Sequence, residues 1–571
     1  MYRFTINQMI LKTTEGDKPI VPKGINIIVG PNNSGKSRLL KEIRDYLSGD
    51  HKDINMISTL NYPMAATFES LCSEYDIESK MVKDMYGNWL MKVYSNKPQQ
   101  ALDMTTTLDN YYTRNINTWS GEWRKHFKEV FGRNNSSEFL DLFGSLFFQY
   151  LGTEERLTIC KTQRNHGMDG GSTNYLSSIQ YQSELLNNLR LKTIELFGKD
   201  IYLDNKTLGD RLVFRVGDNF DYIRSKAVID ENDARKLFNE KKLDDQGDGL
   251  KSFVSTFLSL YLNKGDILLI DEPEAFLHPP LARQLGEMIG ECHQEGQIVF
   301  ISTHSVEILK GILSKNQNVN VIRITQPIPF SNSIKIVEKD LLDSILQNPL
   351  LRVSRVLEGL FCDKVVLTEA EADELIYQEL IEKIHPASGL YFAHGQNKQT
   401  LATIAKLYKE IGIPYEIITD FDVLRQPNEF SSFLYLMDIH DKNRQKMIQY
   451  ANQLREIVNN SVDVSGLSEK DADNAKKNKR DEVYHKKGIS FFDESIQKHL
   501  IKVIEDLSIL HLHILETGEL ETLLKDYDVP YQEKNKWIVA AINKIAEIQK
   551  EDIPSDSYLF KFLSAVKGNE S

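Results

Sequence analysis

The segment from Gly24 to Ser37 constrains this chain of 571 residues more than any other stretch. A short β-branched run ends at Gly30, and the residues that follow fit the pattern G-x-x-x-x-G-K-S before a helical pattern begins. In such a P-loop the backbone N–H groups face phosphate oxygens, Lys36 reaches the β- and γ-phosphates, and Ser37 can ligate magnesium. The segment therefore predicts an ATP site. Its predicted binding residues are Gly30, Asn32, Asn33, Ser34, Gly35, Lys36 and Ser37.

The bulk composition is that of a globular protein, with 41% hydrophobic and 26% charged residues. A chain of this length is too long for one hydrophobic core, so two to four domains are expected. No apolar run approaches membrane-spanning length, and the first residues read as a strand, so we expect a cytoplasmic protein without a membrane partner. The formal net charge of −13 argues against a general nucleic-acid coat, although it allows a local basic channel.

Three stretches of the first half carry open interpretations. Residues 50–145 are predicted to form an irregular lobe without an assigned function. An apolar run predicts a buried strand, and Gln149 or the turn Glu154–Arg156 either senses the metal or γ-phosphate or simply ends that strand. The helical spacing of Ser177–Phe197, within possible dimerisation helices at about 160–210, fits either a subunit interface or core packing.

Two further patterns follow the P-loop in the order that a nucleotide hydrolase needs. A glycine-bearing turn with Asp248 and Gly249 precedes an apolar helix, and a helix N-terminus suits an anion such as a γ-phosphate. A buried strand then ends in Asp271, which is predicted to hold the magnesium water shell, and Glu272, which is predicted to position the attacking water. The next strand ends before His304, a candidate γ-phosphate contact.

The order of these motifs resembles the ATP-binding-cassette ATPases of the RecF and SMC type, particularly in Asp271–His278 and Ser302–Ser305. The resemblance implies that two cassettes close face to face, so that the glycine turn of one protomer covers the ATP of the other. A homodimer or homotetramer is expected on this basis. The stretch Gly247–Ser252 stands where the group usually has Leu-Ser-Gly-Gly-Gln.

The second half of the chain places acids after two predicted strands. One strand ends before Glu369, with Asp373 in the first turn of the next helix, and another buried strand ends before Asp420 and Asp422. Residues i and i+2 of a strand point to the same face, so the two aspartates aim together. Converging carboxylates are costly unless a divalent cation neutralises them, so the sequence predicts a Mg²⁺ or Mn²⁺ site.

These acids resemble a Toprim domain, the metal-dependent fold of topoisomerases, primases and some nucleases, although Ala370 stands where Gly is usual. An ATP-binding cassette followed by Toprim resembles the OLD (overcoming lysogenization defect) family of nucleases, to which the nuclease subunit of Gabija anti-phage systems belongs. The resemblance implies a further metal-binding acid, for which Glu521 is the match. It also implies a phosphate-stabilising lysine near the C-terminus, for which we favour Lys561 over Lys567.

The predicted fold class is α/β, with an ABC-type P-loop ATPase domain at 1–345 and a linker helix at 346–362. A C-terminal, Rossmann-like Toprim domain follows at 363–571, with a helical insertion at about 430–500. The insertion carries basic residues that either hold a nucleic-acid backbone or form a solvated helix face. These residues are Lys476, Lys477, Lys479, Arg480, Lys486 and Lys487.

The sequence thus predicts an ATP-regulated, Mg²⁺- or Mn²⁺-dependent endonuclease of OLD type that uses two metal ions. DNA is favoured over RNA, and an anti-phage role implies a partner protein or nucleic acid of a defence system. The alternatives are a RecF- or SMC-like clamp with a silent Toprim domain and an RNase acting on RNA such as tRNA. The predicted catalytic residues are Glu272, Glu369, Asp420, Asp422 and Lys561, with Glu369 as the candidate base.

Overall fold

The computed structural model describes residues 3–83, 89–94, 111–115, 123–133, 135–165, 175–226, 228–262, 266–328, 331–337, 339–347, 355–386, 388–465, 467–530 and 534–568. The chain divides into two compact units, Met1–Val337 and Glu338–Ser571. Among the described residues, no helix combines the length and the apolar character needed to cross a membrane.

The first unit mixes strands and helices throughout. Its strands are β1 Gln8–Thr13, β2 Gly16–Ile20, β3 Ile25–Val29, β4 Ile57–Asn61, β5 Met81–Lys83, β6 Trp89–Tyr94, β7 Tyr111–Asn115, β8 Phe148–Leu151, β9 Gln163–Arg164, β10 Asp200–Asp204, β11 Arg211–Gly217, β12 Lys241–Lys242, β13 Ile267–Asp271, β14 Ile298–Ser302, β15 Val319–Ile328 and β16 Ser331–Val337. Its helices are α1 Lys36–Leu47, α2 Phe68–Glu74, α3 Ile77–Lys80, α4 Trp123–Gly132, α5 Ser136–Phe143, α6 Thr153–Thr158, α7 Tyr175–Ile179, α8 Ser183–Phe197, α9 Asp221–Arg224, α10 Glu231–Asn239, α11 Asp248–Leu262, α12 Pro279–Cys292 and α13 Val306–Lys315.

A six-stranded sheet of order β16-β15-β3-β14-β13-β8 forms the centre of the first unit. Its pairs are parallel except for the antiparallel pair of β15 and β16. Strands β3, β13 and β14 are buried along their whole length, as expected for continuous β-branched and apolar runs covered on both faces. The carboxyl ends of these three strands carry the P-loop, the Asp-Glu pair and the Thr-His pair.

The lobe at 50–145 contains regular elements where the structure describes it, so the prediction of an irregular lobe is wrong for those residues. Helices α4 and α5 bury Phe127, Phe139 and Phe143 in the same hydrophobic core as helix α1. The helical pattern is weak in the sequence because these helices are short and owe their stability to aromatic packing rather than to intrinsic propensity. Residues 84–88, 95–110 and 116–122 of this lobe lie outside the described residues.

The possible dimerisation helices at about 160–210 correspond to α7 and α8, and residues 166–174 lie outside the described residues. Helix α8 buries Leu189 and Thr193, whereas the side chains of Leu191 and Ile194 are exposed. One face of the helix therefore packs inward, and its role in dimerisation stays a prediction.

The second unit is built on a four-stranded parallel sheet of order β18-β17-β19-β20. Its strands are β17 Lys364–Thr368, β18 Leu390–His394, β19 Tyr415–Thr419 and β20 Leu512–Ile514. Its α-helices are α14 Lys339–Gln347, α15 Glu371–Ile384, α16 Lys398–Ile411, α17 Pro427–Leu434, α18 Asp441–Asn460, α19 Glu469–Asp481, α20 Glu494–Ile509, α21 Lys534–Glu547 and α22 Tyr558–Lys567.

The region between β19 and β20 is helical from α17 to α20, with a π-helical segment at Glu482–Lys487 between α19 and α20. Of the linker helix predicted at 346–362, the structure has a 3₁₀ helix at Arg355–Phe361, and residues 348–354 lie outside the described residues. A second hydrophobic core fills the unit, with Trp537 of α21 fully buried among residues of α15 and α22.

Candidate functional site

The P-loop closes tightly around the buried Lys36. Its ammonium group donates hydrogen bonds to the carbonyl oxygens of Gly30 at 2.8 Å and Pro31 at 2.6 Å. Gly30 has φ +149°, and a Cβ at this position would lie 2.0 Å from the carbonyl oxygen of Ile324 on β15. Only glycine tolerates this positive φ angle and has no Cβ to clash with Ile324. The neighbouring strand as well as the loop therefore requires glycine at the first position of the motif.

The acidic end of β13 is held by its neighbours in the sheet. Asp271 accepts hydrogen bonds from the Tyr150 hydroxyl at 3.2 Å and from the Ser302 hydroxyl. Glu272 has φ +48°, and its N–H donates to the Ser302 carbonyl oxygen at 3.0 Å. A non-glycine residue in the left-handed region is uncommon and is typical of functional turns. Tyr150 and Ser302 were not singled out in the sequence, although both lie in strands that flank β13.

Glu272 and His304 meet at the end of the central sheet. The Nε2 atom of His304 lies 3.2 Å from Glu272 Oε1, and both side chains are partly exposed. Burial and the nearby Lys36 lower the pKa of His304, although Glu272 opposes this effect. The structure thus brings the P-loop lysine, the predicted water-positioning acid and the predicted γ-phosphate contact to one place.

Arg156 binds the backbone at the ends of β8 and β13 and so holds the turn at Glu272 in place. Its fully buried guanidinium donates to the carbonyl oxygens of Leu151 at 2.9 Å and Glu272 at 2.7 Å, and to that of Asp271. Its Nε donates to the hydroxyl of Ser252 on α11 at 3.2 Å. Of the two interpretations of the Glu154–Arg156 turn, the structural one fits, because the guanidinium is committed to protein groups.

Gln149, the other residue for which two interpretations were open, is also buried. Its side-chain amide donates to the hydroxyl of Tyr175. This contact ties β8 to helix α7, which favours the packing role over a phosphate-sensing role.

The glycine turn begins helix α11. Gly247 and Asp248 are exposed, and Asp248 forms an ion pair with Lys251 at 2.8 Å. A Cβ on Gly249 would lie 2.8 Å from the carbonyl oxygen of Phe276, so the backbone of this turn passes close to the segment that follows Glu272. The helix N-terminus remains open to solvent on the side of Gly247, as a phosphate contact requires.

The second unit brings three of the predicted acids together. Glu369 follows β17, and Asp420 and Asp422 follow the neighbouring strand β19, so their carboxylates converge at one edge of the parallel sheet. One oxygen from each of the three lies within 4.8 Å of the others. The N–H of Asp420 donates to Glu369 Oε1 at 3.2 Å, and the intervening Phe421 is buried against Tyr484.

Three other predicted site residues lie outside this group of carboxylates. Asp373 is buried, and its Oδ2 accepts a hydrogen bond from the Ala370 N–H at 3.0 Å, which caps helix α15. Glu521 is buried in a 3₁₀ turn, and Lys561 is exposed on α22. The metal-binding role of the two acids and the catalytic role of Lys561 stay predictions.

The lysine that pairs with the clustered acids is Lys398, which the sequence reasoning missed. Its Nζ lies 3.2 Å from Glu369 Oε2 and 2.8 Å from Asp422 Oδ1. Lys398 begins helix α16 directly after β18, the strand on the other side of β17. The position of Lys398 after β18 could have identified it in the sequence, because the carboxyl ends of neighbouring parallel strands share one edge of a sheet.

Three carboxylates crowd this edge of the sheet beside one lysine. Burial raises the pKa of Glu369 to about 7, and burial followed by repulsion from Glu369 and Asp373 raises that of Asp420. When ionised, three carboxylates and one ammonium leave a net charge of −2 (−3 + 1). The donor set of carboxylate oxygens is the one that Mg²⁺ and Mn²⁺ prefer, so these residues fit a divalent cation.

The segment Thr517–Glu521, which contains the predicted metal ligand Glu521, lies beside the aspartate turn. The N–H of Phe421 donates to the carbonyl oxygen of Gly518 at 2.8 Å. Gly518 has φ +127°, and a Cβ there would lie 2.4 Å from the carbonyl oxygen of His485 in the π-helical segment. His485 Nδ1 in turn lies 3.2 Å from Glu519 Oε2. The hydrogen bond with Glu519 raises the pKa of His485.

Two lysines of the basic cluster in the insertion are paired with an acid. Glu482 contacts Lys479 at 3.0 Å and Lys487 at 2.6 Å, and Arg480 donates to Asn459 at 2.7 Å. Tyr484 is buried, so its ring is not presented for stacking on a base. These contacts favour the interpretation of a solvated helix face for this part of the cluster.

Two family models match the chain. Residues 134–310 match the family model of an AAA domain whose description names the AbiEii toxin and a type IV TA system. Residues 360–422 match the TOPRIM domain of proteins like the overcoming lysogenization defect protein. The chain therefore carries, in this order, a stretch that matches an AAA domain and a stretch that matches an OLD-like Toprim domain. This is the arrangement of the OLD family, so the predicted family resemblance and fold class are confirmed.

One curated relative and two solved structures are also similar to parts of the chain. A segment of 167 residues is 25% identical to the Old nuclease of Escherichia phage P2 and spans 28% of this chain and 28% of the phage protein. The SMC head domain from Thermotoga maritima is 14% identical, with a TM-score of 0.29, over 59% of this chain and 100% of that one. An SMC head bound to the C-winged helix domain of ScpA is 12% identical, with a TM-score of 0.34, over 60% and 99%.

Proposed function

We propose that this protein is an ATP-regulated endonuclease that depends on Mg²⁺ or Mn²⁺ and cuts DNA in anti-phage defence. The observation that carries the proposal is the convergence of Glu369, Asp420 and Asp422 within 4.8 Å at one edge of the Toprim sheet. Partly buried acids in such proximity are costly by themselves, and their oxygens suit a hard divalent cation. The match of the second unit to an OLD-like Toprim domain supports a nuclease, and a nuclease implies a nucleic-acid partner.

The three acids would hold the cation, which supplies a water of lowered pKa and neutralises charge on the scissile phosphate. Glu369 is the proposed base, and without a bound cation burial raises the pKa of its carboxyl to about 7. The backbone N–H of Asp420 orients the Glu369 carboxylate through its 3.2 Å hydrogen bond to Oε1. Mn²⁺ or Mg²⁺ would both satisfy this set of ligands.

The first unit would bind ATP and control the cutting reaction. Lys36 and the P-loop amides would hold the phosphates, and Glu272 with His304 would handle the γ-phosphate and its attacking water, as in hydrolases of this kind. Asp271 is braced by Tyr150 and Ser302, which keeps its carboxylate aligned for the magnesium that accompanies ATP.

We also propose that the working form is a homodimer or homotetramer in which the glycine turn meets ATP on another protomer. The exposure of Gly247 and Asp248 at the start of α11 supports this arrangement. Analytical ultracentrifugation with and without ATP tests it. A monomer at every concentration would contradict it.

The test of the nuclease is incubation of the purified protein with plasmid DNA, linear DNA and total RNA, with Mg²⁺ or Mn²⁺ and with or without ATP. The variant Asp420→Asn is the negative control, and Asp438→Asn, whose side chain is 93% exposed, is the matched control. Metal-dependent cutting of DNA that Asp420→Asn lacks and Asp438→Asn keeps is the expected result. Cutting of RNA alone would favour the RNase, and ATP-dependent DNA binding without cutting would favour the clamp.

A further inference from the structure

Lys398 shares its carboxylate partners with the proposed divalent cation. Its Nζ lies 3.2 Å from Glu369 Oε2, 2.8 Å from Asp422 Oδ1 and 2.9 Å from Asp422 Oδ2, and its side chain is 13% exposed. These oxygens belong to the same group that would hold the metal. A cation that binds both Glu369 and Asp422 must therefore displace the ammonium or share the carboxylates with it.

The position of Lys398 is fixed by its backbone. The residue before it, Asn397, caps helix α16 by accepting a hydrogen bond from the N–H of Thr400 at 2.9 Å. The N–H of Gly395 donates to the carbonyl oxygen of Thr368 at 3.0 Å, which ties the loop to the end of β17, one residue before Glu369. A Cβ on Gly395 would lie 2.8 Å from the backbone of Leu401, so the loop can pack this tightly only with glycine. The lysine is thus built into the site by the fold.

The electrostatic balance explains why an ammonium belongs there. The ammonium of Lys398 lies within 3.2 Å of three carboxylate oxygens of Glu369 and Asp422, so their negative charge faces it directly. The ammonium and the carboxylates stabilise one another at the cost of being taken out of water. The ammonium lies about 3 Å from the carboxylate oxygens and would repel a divalent cation that approaches them. The pairing therefore opposes metal binding by these carboxylates.

We propose that Lys398 is a positioning residue that sets the divalent-cation threshold of the Toprim site, because its ammonium competes with the metal for Glu369 and Asp422. The inference rests on the proposed function, which identifies the carboxylate group as a metal site. The Lys398 ammonium is then a competitor for the metal within the chain itself. Cutting would then begin only at cation concentrations that displace the lysine.

The first experiment measures Mn²⁺ binding to the full chain by isothermal titration calorimetry in the absence of ATP. Lys398→Met is expected to bind Mn²⁺ about 10-fold more tightly or better, because one unit charge is removed next to the ligands. Lys406→Met is the matched control, since Lys406 lies on the same helix, is 68% exposed and is 3.9 Å from Glu410. It should stay within about twofold of the wild type. Asp420→Asn should abolish the binding signal at this site.

The second readout is thermal stability without metal. Lys398→Met should unfold at a temperature about 5 °C lower, because three clustered carboxylates lose their cation, and Mn²⁺ should restore most of the loss. Unchanged or weaker Mn²⁺ binding by a folded Lys398→Met protein would overturn the proposal.

A third measurement uses the wild-type protein, so it decides the matter even where the variant does not fold. Reductive methylation of Lys398, followed by mass spectrometry, should be slow without metal and faster with saturating Mn²⁺, because the displaced ammonium becomes accessible. Labelling that does not change with Mn²⁺ would overturn the competition.

These readouts separate the inference from the proposed function. A protein that cuts no nucleic acid yet shows tighter Mn²⁺ binding in Lys398→Met would remove the nuclease and keep the competing lysine. A protein that cuts DNA with unchanged Mn²⁺ affinity in the variant would keep the nuclease and remove the competition.

Discussion

The two candidate sites of this chain use the same scaffold for opposite charges. Each lies at the carboxyl ends of neighbouring parallel strands, and each contains one lysine, which is buried in the first site and 13% exposed in the second. Lys36 donates to the neutral backbone carbonyls of Gly30 and Pro31, in a loop whose amides are suited to an anion. Lys398 instead faces the carboxylates of Glu369 and Asp422, which suit a cation.

The difference shows what fixes each site. The nucleotide site is specified mainly by backbone geometry, which needs glycines at positions such as Gly30 and a left-handed Glu272. The carboxylate site is specified by side chains from separate strands, so its geometry depends on how those strands are ordered in the sheet. A motif records the first kind of site in one stretch of sequence, whereas the second kind is distributed along the chain.

The largest effect is expected at the carboxylate site. Asp420→Asn should reduce cleavage about 10³-fold or more and leave ATP affinity unchanged, because it removes a metal ligand without altering the first unit. Rates of DNA cutting and a fluorescent-ATP titration measure the two effects. If a folded variant cuts at the wild-type rate, the carboxylates are not the catalytic centre and the contrast between the two sites fails.

The next effect concerns the support of the nucleotide site. Arg156→Met should destabilise the protein by about 3–5 kcal/mol, because it leaves the buried carbonyl oxygens of Leu151, Asp271 and Glu272 without their donor. Arg235→Met is the control, since the Arg235–Glu231 pair is exposed and worth at most about 0.5 kcal/mol. Urea unfolding of both variants measures the difference. Equal stabilities would show that Arg156 does not brace the strand end.

At the P-loop, Lys36→Ala should weaken ATP binding at least about 100-fold, because the ammonium that faces the phosphates is lost. Mn²⁺ binding at the carboxylate site should not change. Lys41→Ala, on the exposed face of the same helix, is the control for a general effect of charge. Unaltered ATP affinity in Lys36→Ala would remove the P-loop assignment.

The smallest effect tests a contrast within one strand. Glu416 lies near the start of β19, at the opposite end of the strand from Asp420. Its side chain is 5% exposed and lies 2.7–3.0 Å from Lys364, His511 and His513. Burial alone would raise the pKa of Glu416, but hydrogen bonds from the two histidines and Lys364 lower it to about 2. Because the folded pKa lies below the unfolded value, the stabilisation is present above about pH 4.5 and is lost as the pH falls towards 2.

Glu416→Gln should therefore cost about 2 kcal/mol at pH 6, and the cost should shrink towards zero between pH 4.5 and pH 2. Calorimetric melting temperatures of both proteins across this range measure it. Glu410→Gln, a half-exposed glutamate 3.9 Å from Lys406, should show no such trend. A difference that stays constant with pH would mean that the cations do not stabilise the Glu416 carboxylate.

Several features were predictable from the sequence because they depend on local patterns. The strand, loop and helix of the P-loop, the buried strand ending in Asp271 and the aspartates after β19 follow from apolar runs bounded by glycines or acids. The helices of the lobe at 50–145 did not, because aromatic packing stabilises short helices there.

The roles of single residues were harder to predict. Arg156 was ambiguous because the same turn suits a phosphate sensor or a strand end, and only its buried contacts separate the two. Asp373 has the spacing of a metal ligand, and in the structure its Oδ2 caps the helix through the Ala370 N–H, a contact that the spacing did not predict. Spacing along the chain does not fix which neighbouring group a carboxylate meets.

The sequence by itself determined the two kinds of chemistry, since a phosphate-binding loop and alternating aspartates are local signatures that need only one strand and its turn. The tertiary structure alone decided that Lys398 joins Glu369 and Asp422. These residues are 24 to 53 positions apart and come from three strands, and they meet only because the sheet has the order β18-β17-β19. Strand order follows from packing of the whole domain, and no short stretch of sequence encodes it.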